Sequence, residues 1–173
     1  DTIVKKKFQQ LKTDLLESKK AISQYMELLP EASQIREDLQ LYLQDNFCID
    51  KLKTTLDAYL KPGEIDVNIM TKVDRDNFDK KTPLPVEFND AHAALRGFAA
   101  SELQSSVVLS AGMNPRLFSY FEQFEGFYPD AQQQLQKKII LKVSDFRSAL
   151  IQGNFLAKKG LWVSEYRIES GLN

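Results

Sequence analysis

Residues 2–29, TIVKKKFQQLKTDLLESKKAISQYMELL, carry an apolar stripe at Val4, Phe8, Leu11, Leu15, Ile22, Tyr25 and Leu29, with Ser18 standing where one apolar residue is due. The spacings alternate four and three, which sets these side chains on one face of a helix. A helix of about seven turns with such a seam needs partner helices to cover it, so the stretch predicts a helical bundle.

Working outward, Pro30 with Glu31 reads as the first turn of a second helix, because proline is tolerated where the amide has no intrahelical partner. Ala32, Ile35, Leu39 and Tyr42 continue a four-three stripe, and Ile49, Leu52, Leu56 and Tyr59 form another. The two are out of phase across Asp45-Asn46-Phe47-Cys48, where a kink or break fits, with Asp50 as an N-cap for a separate short helix. Pro62-Gly63 ends that helix.

Residues 64–86 differ in kind. Ile65, Val67 and Ile69 alternate with polar residues or Met70 and read as a short strand, and Asp74 to Pro85 reads as a charged, proline-punctuated loop. Asn89 or Asp90 caps a further helix carrying Leu95, Phe98, Ala99, Leu103 and Val107 and stopping at Gly112. Asn114-Pro115 starts a short helix that ends near Gly126. Pro129 opens a last long helix with Leu135, Ile139, Val143, Phe146 and Leu150. Residues 161–168 are rich in strand formers and are expected to pair with Ile65 to Ile69. The predicted fold is therefore all-α: one domain over residues 1–173, a bundle of four main helices plus short ones. Residues 64–86 are a non-helical insertion, and a two-stranded appendage rests on the bundle.

Composition excludes more than it identifies. The chain has 173 residues, 43% hydrophobic and 27% charged, enough for a proper core. Its 23 basic and 24 acidic residues leave a formal charge of −1, which argues against nucleic acid as a partner. The lysine runs at 5–7, 19–20, 137–138 and 158–159 read as solvated faces. No stretch has the roughly 20 apolar residues of a membrane span. The single cysteine, Cys48, excludes an internal disulfide and reads as buried between apolar neighbours. An opening Asp1 in place of methionine fits either a processed or a trimmed chain, and removal of a signal peptide or membrane anchor is one route to it. That, with the lack of disulfides, favours an extracytoplasmic or membrane-associated setting over the cytoplasm.

Catalytic templates are missing. His92 is the single histidine and reads as a helix-surface or boundary residue; it matches no zinc or di-iron spacing, and a nucleophilic triad through it would need partners from elsewhere in the chain. Asp74, Asp76 and Asp79 resemble half a calcium loop, but Phe78 and Asp79 stand where an oxygen ligand and a glycine are required. No glycine spacing cradles a phosphate, so the sequence calls for no cofactor and no metal. The richest local feature is aromatic: Phe118, Tyr120, Phe121, Phe124, Phe127 and Tyr128 fall within eleven residues. The segment reads first as a core cluster where a short helix crosses the bundle; read as a contact surface, it makes Phe118, Tyr120, Phe124, Phe127 and Tyr128 the candidate partner-binding residues, with Phe118 or Tyr120 expected to be exposed.

The sequence thus predicts a non-enzymatic helical interaction domain of a bacterial envelope, secretion or signalling assembly. It docks a protein partner or a second copy through helical faces. The alternatives are an extracytoplasmic ligand-sensing bundle and a carboxylate-dependent enzyme, which a closed pocket or a polar cleft would respectively reveal.

Overall fold

The computed structural model describes residues 1–44, 48–110 and 112–169, and they form two compact units that meet in sequence after Pro62-Gly63. The first, Asp1–Gly63, is all helical: α1 (Thr2–Glu17), α2 (Lys19–Met26), α3 (Gln34–Leu43) and α4 (Ile49–Tyr59). Its core is made of Leu15, Ile22, Ile35, Leu39, Leu52, Leu56 and Leu60, with Phe8, Leu11, Tyr25, Leu29 and Tyr42 packed against them. The opening stripe is therefore inward-facing, but it belongs to two helices. Ser18 is extended (φ −140°, ψ 113°), and its hydroxyl accepts a hydrogen bond from the Ala21 amide. The one polar position in the stripe is thus the N-cap that starts α2. Cys48 is exposed, contrary to expectation, because it precedes the first turn of α4 instead of facing a core. The kink expected across residues 45–47 lies outside the described residues.

The second unit, Glu64–Asn173, overturns the all-α expectation. It contains β1 (Val67–Met70), the short hairpin β2 (Phe78–Asp79) and β3 (Thr82–Pro83), α5 (Asp90–Ala100), β4 (Ser106–Ser110), α6 (Pro115–Tyr120), β5 (Lys138–Val143), α7 (Phe146–Ala157) and β6 (Val163–Ile168). Four strands form one parallel sheet in the order β1-β4-β5-β6. The helix expected to run to Gly112 ends at Ala100, where the Ser101 hydroxyl turns back to the Phe98 carbonyl, and Ser106 to Ser110 is a strand. The helix expected from Pro129 to Leu150 is instead β5 followed by α7. The two segments expected to pair, near 65–69 and 161–168, are both strands, but β4 and β5 lie between them.

The physical reason is burial on both faces. Every residue of β4 is buried, as are Ile139, Ile140, Leu141 and Val143 of β5. A strand covered on both sides reads as a continuous apolar run, from which helical spacings can be picked by chance.

Strands that follow one another in sequence order, joined by crossovers of one hand, send every helix to the same face. Packing shows this: Val107, Leu109, Ile139, Leu141 and Val143 share one core with Ala91, Leu95 and Phe98 of α5, Leu117, Phe118 and Tyr120 of α6, and Ala149 and Leu156 of α7. Val108 and Ile140, paired in register, point the other way. That second face is concave, since Asp66 beside the first strand and Arg167 of the last approach to 3.6 Å across it. The helices of this unit lie on one face of the sheet, and its parallel strands bring their carboxyl ends to one edge.

Candidate functional site

A cleft of about 680 Å3 lies at those carboxyl ends. Lys72 reaches it from the turn after β1, Gly112 and Met113 from the turn after β4, Lys142, Val143 and Ser144 from the end of β5, and Glu169 from just past β6. Ser148, Ile151 and Gln152 of α7 close the helix side. Met113, Val143 and Ile151 give it apolar lining. Gln152 is nine-tenths buried there, and its side-chain amide makes no hydrogen bond among the described residues.

The charges in the cleft are unequal. Lys142 is neutralised by Glu169, 2.8 Å away. Lys72 has no ion pair among the described residues, and its stem crosses Gly112 so closely that a Cβ there would meet Lys72 Cε at 2.5 Å. Gly112 also has φ +103°, a conformation that side chains disfavour, so glycine serves both the turn and the close approach. The N-terminus of α7 faces its own cap: Asp145 accepts from the Ser148 amide and from the Ser144 and Ser148 hydroxyls, and these bonds, that of Ser144 foremost, hold its carboxyl down at about 2. An anion entering the cleft is therefore met by Lys72, and the end of α7 is already occupied.

Behind the cleft runs a buried polar chain. Thr71, fully buried, follows β1; its amide donates to the Ser110 carbonyl (2.9 Å), and its hydroxyl lies within bonding distance of the Ser110 carbonyl (2.9 Å) and of the Gly112 carbonyl. Asn114 caps α6 through its Oδ1 and donates its Nδ2 to the Thr71 carbonyl (3.0 Å) and to Asp74 Oδ2 (3.1 Å). Asp74 Oδ1 accepts from the Ala91 amide in the first turn of α5 (3.0 Å). His92 Nδ1 lies 2.8 Å from Asp74 Oδ2 but off the direction of a ring N–H, which leaves that buried nitrogen without an oriented hydrogen bond.

His92 is thus 1% exposed rather than at the helix surface, because α5 turns it inward against Tyr120, with ring centroids 5.1 Å apart. It lines a second cleft with Arg116, Ser119 and Tyr120; Ser119 makes no hydrogen bond to it, so no nucleophile–base pair is formed. The three aspartates of the acidic loop are spread apart in role: Asp74 caps α5, Asp76 accepts from Asn89, and Asp79 lies in the β2–β3 hairpin. No group of three metal-ligating side chains is assembled among the described residues.

The aromatic segment is core. Phe118, Tyr120, Phe121 and Phe127 are buried, and Phe124 and Tyr128 are half-buried against them. The expected exposure of Phe118 or Tyr120 is absent, because the segment folds as a six-residue helix followed by two 3-10 turns and closes on itself, with Phe121 and Phe127 ring centroids 4.7 Å apart. Lys137, expected on a solvated face, is buried; its ammonium donates to the Ser101 and Leu103 carbonyls and lies over the Phe98 ring. Burial lowers its pKa.

Sequence reasoning missed Thr71, Lys72 and Gln152, and it read Gly112 as a helix stop. The available signal was a glycine shortly after the apolar run Val107-Val108-Leu109, which fits a strand ending in a tight turn. No helix among the described residues is long and apolar enough to cross a membrane. Comparison with known proteins gives no matching family model, no matching curated protein and no matching solved structure.

Proposed function

We propose that the second unit binds a small anionic molecule with an apolar body in the cleft at the carboxyl ends of its parallel strands. The observation that carries this reading is Lys72: an unpaired ammonium laid over Gly112, beside the apolar side chains of Met113, Val143 and Ile151. An unpaired cation next to apolar surface at this end of a curled parallel sheet suits a ligand of that composition. Calorimetric titration with phenyl phosphate tests it, with benzyl alcohol as the uncharged control. Phenyl phosphate binds, benzyl alcohol does not, and Lys72→Ala weakens phenyl phosphate about tenfold or more, the worth of one charge-assisted contact. Equal binding of the two probes, or an unaffected Lys72→Ala variant, refutes the reading.

A second reading is docking of a protein partner or a second copy. Its support is the set of large apolar side chains left exposed on α7 and around β6: Phe146, Leu150, Trp162, Tyr166 and Ile168. Aromatic residues of this kind anchor interfaces. Replacing Phe146 and Trp162 by serine should leave the melting temperature unchanged and abolish any concentration-dependent association seen by light scattering. A wild-type protein that stays monomeric and captures no partner removes this reading.

A further inference from the structure

We infer that Thr71 is the positioning residue of the cleft, holding the Lys72 ammonium in place over Gly112; the inference rests on the binding reading above. Thr71 is 0% exposed, and its amide, hydroxyl and carbonyl all bond to the end of β4 and the turn that follows it. Its amide closes the ladder to the Ser110 carbonyl, one step beyond the last register pair, Met70 with Ser110. Its hydroxyl lies within bonding distance of both the Ser110 carbonyl and the Gly112 carbonyl, so the side chain reaches past the strand into the turn that Lys72 crosses. Its own carbonyl is held by Asn114, which is anchored in turn on Asp74 and so on the first turn of α5.

The consequence follows from the covalent chain. Lys72 is the next residue, and its long stem has many rotamers that water would otherwise let it explore. Fixing the Thr71 backbone at both its amide and its carbonyl, and fixing the Gly112 carbonyl to the same side chain, sets the base of the stem and the surface it crosses relative to one another. Loss of the hydroxyl leaves the ladder bond from the Thr71 amide intact and removes the side-chain bonds to the Ser110 and Gly112 carbonyls. Thr71 therefore acts on the ligand through Lys72 and touches no ligand itself.

The test compares Thr71→Val, which keeps the shape and removes the hydroxyl, with Thr71→Ser, which keeps it. Thr71→Ala provides a second hydroxyl-free variant in case the extra methyl group of valine disturbs folding. Two quantities are read: phenyl phosphate affinity, and the motion of the Lys72 side chain from carbon relaxation at Cε in the ligand-free protein. Thr71→Val and Thr71→Ala should mobilise Lys72 and weaken phenyl phosphate about tenfold, while Thr71→Ser stays within about threefold of wild type. In a Lys72→Ala background the valine substitution should cost nothing further, because its effect passes through Lys72. If wild type binds and the hydroxyl-free variants neither mobilise Lys72 nor lose affinity, the inference is wrong. Equal further loss in the Lys72→Ala background also overturns it. If wild type binds no phenyl phosphate while Lys72 is still mobilised, the binding reading fails and the positioning role stands.

Discussion

The helical unit and the sheet unit bury their side chains under different rules, and the difference decides how much each reveals in its sequence. In residues 1–63 each helix has one inward face, so Leu15, Ile22, Leu39, Leu52 and Leu56 recur at helical spacing and every one of them is core. In residues 64–169 the central strands are covered on both faces. Val108 and Ile140 are as deeply buried as their neighbours although they point away from the helices. A pattern with no exposed face has no period, and the spacing of Leu135, Ile139 and Val143 then mimics a helix.

The strongest way to probe that contrast is to cut one core side chain in each unit. Leu15→Ala and Leu109→Ala should each cost about 2–5 kcal/mol, since both remove a side chain that is 1% exposed and leave a cavity. Urea melts that show a loss below half of the lower bound for Leu15→Ala would mean that the opening stripe does not pack as described.

A smaller effect has a diagnostic sign. In one continuous helix, Ser18→Ala would stabilise the protein, because alanine is the better helix former. With Ser18 as the N-cap of α2, the same change should destabilise by roughly 1 kcal/mol, because the Ala21 amide loses its acceptor. Thermal melts of this single variant separate the two.

The sheet unit offers a titration. The Asp145 carboxyl is held at about 2 in the folded protein, below its ordinary 3.8. A depressed carboxylate contributes stability that is present above the unfolded value and lost as pH falls through the folded one. The cap of α7 should therefore persist at pH 4 and open as pH approaches 2, and a carbon-detected NMR titration of Asp145 should show a midpoint near 2. A midpoint near 4 would mean that Ser144 and Ser148 do not hold it.

Smaller still is the effect of Lys137, whose pKa burial lowers from 10.5. Between the lowered folded value and 10.5 the unfolded chain binds more protons, so stability gained from this group rises with pH across that interval. The stability difference between wild type and Lys137→Met should move in favour of wild type as pH climbs toward 10.5. A flat difference would place the ammonium in water.

Legibility of the candidate site follows from the same contrast. The apolar stripes of the first unit (though not the break at Ser18), the strands near 65–70 and 161–168, and the cap-then-proline start at Asn114-Pro115 could be read locally, because caps, turns and alternation act over a few residues. The order of the strands could not, since β1 and β6 are placed by β4 and β5 lying between them. Lys72, Gly112, Lys142 and Glu169 are far apart in the chain and meet only because parallel strands bring their carboxyl ends to one edge. His92 and Asp74 likewise meet only once the acidic loop folds back on α5. The aromatic segment reads from its density as a core cluster first and a contact surface second, and its side chains fill the core, which leaves only the expected exposure of Phe118 or Tyr120 unmet.

The binding claim is tested most directly by following every backbone amide during a phenyl phosphate titration in a nitrogen-15 NMR spectrum. Shifts should be confined to the carboxyl ends of the strands, around residues 71–72, 112–114, 142–144 and 169, with saturation and a common affinity. Residues 1–63 should stay unmoved. Shifts that centre on the helical unit, or that scatter over both units without saturating, would contradict the assignment of the site.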